Sequence, residues 1–134
     1  MMMYFTAYLT TLAVFVLCDM AWLGTMASRV YRPTLGDIML SDVNLPAAIV
    51  FYLIYPIGLV IFAILPALKS GNLAQAVLYG ALFGFFTYAT YDLTNQATLR
   101  NWTTQLTLID TGWGTLLGAI AAAAGCWVTM KFAV

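Results

Sequence analysis

The sequence predicts an all-α integral membrane four-helix bundle with short loops, and three observations carry that expectation. Only 7% of the 134 residues are charged and 63% are hydrophobic, whereas a soluble domain carries about 25% charged residues. A surface this poor in charge needs lipid as its solvent. The apolar residues also fall into four long stretches, each able to cross about 30 Å of hydrocarbon at about 1.5 Å per residue. These stretches lack the alternation of barrel strands, so helices are the spanning structure that fits. The chain reads as one transmembrane domain, 1–134, with no soluble part.

The first span is expected over approximately 4–27, with Asp19 as its only charge. Met1-Met2-Met3-Tyr4 has no positive n-region and Thr25-Met26-Ala27-Ser28 is a poor cleavage site. The segment therefore reads as a retained span, not a signal peptide. The following connection carries Arg29, Arg32, Asp37 and Asp42. Within it, Thr34-Leu35-Gly36-Asp37 has the form of a capping box and predicts a short interfacial helix after the first span. The second span, 45–68, is uncharged. Asn44 can cap it, Pro46 is tolerated in its first turn, and Pro56 should kink it. Lys69-Ser70-Gly71-Asn72 reads as a tight turn. The third span, 73–99, is charge-free until Asp92, and Arg100 to Leu106 leads into the fourth, 107–130, with Asp110 near its start.

An even number of spans puts both termini on one face, side B, with the Lys69 turn. Side A holds the other two connections, with Arg29, Arg32 and Arg100 against Lys69 and Lys131 on side B. Positive-inside counting puts side A in the cytoplasm and both termini outside it. Tyr4, Phe5, Tyr8 and Trp127 fall near side B, as an aromatic belt would. Gly80-x-x-x-Gly84 and Gly114-x-x-x-Gly118 place small residues one turn apart, as does the Ala121 to Gly125 stretch, and predict close helix approach within the bundle. Cys18 and Cys126 should lie at different depths and stay free thiols.

The polar residues inside the spans are the functional signal. Asp19 lies roughly 15 Å of helix rise before Arg29, and Asp92 roughly 12 Å before Arg100. Asp110 opens the fourth span, so three helices place a carboxylate in the side A half. An ionised carboxylate facing lipid costs several kcal/mol, which turns these faces inward. Each has company at helical spacing: Trp22 for Asp19, Tyr88, Asn95 and Gln96 for Asp92, and Trp113 for Asp110. Taken alone, Asp110 also suits a helix cap, Asp92 a half-exposed helix end, and the whole set a structural network reached by Asn95, Gln96, Arg29 or Arg100.

As a site, the set would form a pocket opening toward side A. Asp19, Asp92 and Asp110 would be the acid–base or cation-binding groups, and Trp22, Tyr88, Asn95, Gln96 and Trp113 would position a ligand. Carboxylates without any histidine suit a proton, a hard cation, or an amine through charge and cation–π contacts. No nucleotide loop, Ser-His-Asp set or metal-helix motif is present, and neither a cofactor nor a metal is implied. Zero net charge gives no footprint for nucleic acid.

With Asp19-x-x-Trp22-Leu23-Gly24, Tyr91-Asp92-Leu93-Thr94-Asn95-Gln96-Ala97-Thr98-Leu99-Arg100-Asn101-Trp102 and Asp110-x-x-Trp113-Gly114 in view, the chain resembles a small bacterial predicted-membrane-protein family catalogued as a domain of unknown function. The likeness covers nearly the whole chain, and the three words occur in the expected order. The resemblance implies an all-helical, membrane-integral protein of the bacterial inner membrane. Members are often encoded near cyclopropane synthases and flavin amine-oxidase-like proteins, which implies a connection with fatty-acid modification. It carries over no catalytic residue. The expected ligand is lipid-derived or otherwise small and amphiphilic, and the expected partners are membrane lipids and a second copy or a larger membrane complex. Two other functions fit the same sequence: an accessory structural subunit, and a small proton- or cation-coupled carrier.

Overall fold

Backbone amides in lipid have only one another to bond, so each apolar stretch closes on itself as a helix. The computed structural model describes residues 1–134 and contains four helices and no strand: α1 (Met2–Ile38), α2 (Leu45–Ser70), α3 (Leu73–Thr98) and α4 (Thr104–Phe132). All four are long and apolar enough to span a membrane. They run up and down through the connections 39–44, 71–72 and 99–103. Asn44, Asn72 and Thr103 cap α2, α3 and α4, their side chains accepting from the backbone N–H of Ala47, Ala74 and Leu106. Gly71, at φ 68°, ends α2 in the left-handed conformation that favours glycine.

The capping-box word does not start an interfacial helix. The chain arrives at Thr34 already helical, so the amides that a cap would satisfy are bonded within α1. Arg32–Leu35 continues α1 and Gly36–Ile38 closes it as a 3-10 turn. What makes the continuation possible is a widened π turn at Ala27–Tyr31, where the N–H of Arg32 reaches the Ala27 carbonyl just before Pro33. α2 repeats the device at Val60–Ile64, where the N–H of Leu65 reaches the Val60 carbonyl just before Pro66. In both, the wider turn relieves the clash between the proline ring and the carbonyl one turn back. Pro56 is held inside α2 and the helix runs past it.

Two layers of packing divide the bundle. In the side B half, Ala7, Phe15, Leu59, Ile64, Leu117 and Cys126 belong to one buried apolar core contributed by all four helices. Cys126 is buried, Cys18 is half-buried, and both are free thiols. α3 and α4 are the closest pair. A Cβ on Gly80 would meet the Gly118 carbonyl and Ala122, and one on Gly84 would overlap the Gly114 carbonyl. The glycine motifs are thus spent on each other within the chain. At the side A end, a smaller cluster of Leu35, Trp102 and Leu106 joins the extension of α1 to the 99–103 connection.

Candidate functional site

The two near-copy words, Asp19-x-x-Trp22 and Asp110-x-x-Trp113, lie on α1 and α4, which pack against each other in opposite directions. An i, i+3 step rises about 4.5 Å, so antiparallel packing can set each aspartate level with the other helix's tryptophan. The contacts follow that geometry. Trp113 Nε1 donates to Asp19 Oδ1 at 3.0 Å. Trp22 Nε1 donates to the Tyr31 hydroxyl at 2.9 Å, and that hydroxyl donates to Asp110 Oδ1 at 2.5 Å. The two indoles stack between them, centroids 4.5 Å apart and planes 4° from parallel.

The other helices complete the constellation. From α2, the Tyr52 hydroxyl donates to Asp19 Oδ2 at 2.5 Å, so both oxygens of Asp19 have a neutral donor. Tyr55 shares a hydrogen bond of 2.8 Å with Thr87 of α3. The Tyr88 ring of α3 stands edge-on to Tyr55, 6.1 Å between centroids. It reaches this position because Gly114 presents no Cβ, which would otherwise collide with the ring. The third carboxylate is Asp92 of α3. It is 0% exposed, its Oδ2 accepts from Thr111 Oγ1 at 3.0 Å, and its Oδ1 has no partner.

These groups line a cavity of about 670 Å³ in the side A half, walled by all four helices and both side A connections. Asp19, Asp110, Tyr88 and Trp113 are on its wall. Trp22 supports the wall through the indole stack. Asp92, Asn95 and Gln96 are not on it. Gln96 instead ties the α3–α4 connection, donating to Thr104 Oγ1 at 2.8 Å and accepting from Thr107 Oγ1 at 2.7 Å. Asp110 is no cap, because α4 starts at Thr104, and Asp92 is no half-exposed helix end. Arg29 and Arg100 are exposed and do not line the cavity. The three carboxylates do not converge as a metal-binding group.

At the side A end, Leu35 and Trp102 are wall residues packed against each other. Phe51 of α2 and Tyr91 of α3 both line the cavity and are 40% and 56% exposed. The backbone of α2 packs on α3 mainly through its C-terminal half, while Tyr55 reaches α3 through Thr87 and Tyr88. Exposed wall residues thus lie on α2 (Phe51), on α3 (Tyr91) and on the side A connection (Met39, 41% exposed). Tyr31, Tyr52, Tyr55 and Trp102 are wall residues that sequence reasoning did not single out. Their only signal is an excess of tyrosine and tryptophan in the side A halves of the spans and their flanks.

A family model described as "Predicted membrane protein (DUF2177)" matches residues 4–127. No curated protein and no solved structure matches the chain.

Proposed function

The chain belongs to the DUF2177 family of predicted membrane proteins, and from that premise we propose that its cavity binds a lipid-derived or other small amphiphilic ligand taken from the bilayer. The observation that carries this reading is the size and lining of the cavity. Its about 670 Å³ falls within the roughly 300–1,000 Å³ of small-molecule sites. Its polar groups include Asp19, Asp110, Tyr31 and Tyr52, and Phe51 and Tyr91 give it exposed aromatic edges on α2 and α3. An amphiphile sliding in from lipid would leave its chain at Phe51 and Tyr91 and bring its head to the carboxylates. A free fatty acid would set its own carboxylate against Asp19 and Asp110. A fatty-acid modification at this site therefore requires an acyl chain carried by a lipid with a neutral or cationic head. In that case Asp19 and Asp110 are the acid–base groups, with Tyr88 and Trp113 positioning the chain.

The carrier alternative is less well supported. A carrier needs a polar path to side B, and that half is filled by the apolar core of Phe15, Leu59, Ile64 and Leu117. For an accessory subunit, the discriminating outcome is copurification with a fixed partner in mild detergent.

The test uses an amphiphile with a brominated chain, which quenches nearby indoles. Trp113 and Trp102 line the cavity, and Trp127→Phe removes the tryptophan at the far end. Quenching is expected to saturate at one ligand per chain and to be lost when Leu23→Phe and Ala27→Phe fill the α1 wall. Quenching that rises in proportion to bulk amphiphile, unchanged by the filled wall, overturns the reading.

The same proposal places the protein in a bacterial inner membrane with side A in the cytoplasm, from the arginine excess on that side. A C-terminal alkaline phosphatase fusion is then expected to be active and a C-terminal green fluorescent protein fusion dark. The opposite pattern reverses the orientation.

A further inference from the structure

Resting on the amphiphile-binding reading, we propose that the ligand's head is a cation of the alkylammonium class, held between Asp19, Asp110 and the surrounding aromatic rings. Three independent observations lead there. The carboxylic acids of the wall are Asp19 and Asp110. The five cationic side chains, Arg29, Arg32, Lys69, Arg100 and Lys131, are all exposed and none lines the cavity. The site carries no built-in counter-ion, whereas buried acids are ordinarily paired or hydrogen-bonded in full.

The second observation is the donor set around Asp19. Both of its oxygens accept from neutral groups, Tyr52 and Trp113, which orient the carboxylate without neutralising it. A carboxylate oxygen has more than one lone-pair site, so an approaching cation adds to these bonds and breaks none. The third is the lining beside the carboxylates. Tyr55, Tyr88, Tyr91 and Trp102 share the wall with Asp19 and Asp110. Carboxylates combined with aromatic rings attract alkylammonium heads through charge and ring quadrupole together, most strongly where water is excluded. An inorganic cation fits less well, since no three acids are grouped to hold a metal ion and an apolar wall offers it few oxygens. The methyl or methylene groups of an alkylammonium suit the rings.

The experiment titrates the full chain in maltoside micelles with octyltrimethylammonium, octyl glucoside and octyl sulfate, which share a chain and differ in head charge. The cation is expected to bind at least about tenfold more tightly than the neutral glucoside, with the sulfate weakest. Asp19→Asn with Asp110→Asn is expected to bring cation and glucoside within about twofold of each other. Equal binding in the unaltered protein, or a preference unchanged by the two substitutions, overturns the cationic head while leaving amphiphile binding intact. Binding of none of the three overturns both. A second measurement needs no variant: choline is expected to displace the brominated amphiphile at lower concentration than its uncharged isostere 3,3-dimethylbutanol. Equal displacement by the two overturns the inference even if the substituted protein fails to fold.

Discussion

Gly84→Leu is expected to abolish the native α3–α4 contact and most of the folded protein. At this position a Cβ overlaps the Gly114 carbonyl and crowds the Thr115 backbone, and Gly118 faces Gly80 in the same way one turn further along. Backbone cannot rotate aside as a side chain can. The substitution is expected to cost at least the upper end of the roughly 1–3 kcal/mol typical of overpacking. The same helix pair carries Asp92, Asp110 and Thr111, so ligand binding should fall with stability. Gly112 is the internal control, because a Cβ there meets nothing within 4 Å. Gly112→Ala is expected to be neutral or to gain up to about 1 kcal/mol from helix propensity. Thermal unfolding in detergent measures both. A Gly84→Leu protein that unfolds at the temperature of the unaltered chain would contradict this packing.

Asp19→Ala carries the second large effect. It leaves the Tyr52 hydroxyl and the Trp113 N–H without their acceptor, and each orphaned donor costs about 1–3 kcal/mol when buried. Asp19→Asn keeps an acceptor for Trp113, so it should retain most of the stability while losing the charge that holds a cationic head. The two substitutions therefore separate a structural role from a binding one. If alanine and asparagine lower stability and binding alike, Asp19 serves only to hold helices together. If neither changes anything, the network is not a site. Removing the partners as well, with Asp19→Leu, Tyr52→Phe and Trp113→Phe, is expected to recover stability relative to Asp19→Ala, because no donor is then left unpaired.

The spans were legible because lipid imposes a length and a composition. The carboxylates were legible because an acid within an apolar run must face inward. The register between helices was not. The near-copy words around Asp19 and Asp110 are visible in sequence, but their crosswise contacts depend on the relative heights of α1 and α4, which no local pattern encodes. Tyr31 was lost for a related reason. Arg29 and Arg32 read as the end of a span, yet the π turn at Ala27–Tyr31 carries the helix through and brings Tyr31 to Asp110. Tyr52 and Tyr55 sit in an apolar run where aromatic residues serve lipid, core and site equally well. Gln96 misled in the other direction: its helical spacing from Asp92 suggested a shared wall, but the α3–α4 connection offers it nearer partners in Thr104 and Thr107.

The most direct measurement is a high-resolution density map of the protein extracted with its native lipids. The account predicts one elongated density per chain, its head between Asp19, Asp110 and Tyr88 and its tail leaving past Phe51 and Tyr91 into the bilayer. A map in which the side chains close over this space, or in which Asp19 and Asp110 turn into separate surroundings with no density between them, would contradict it.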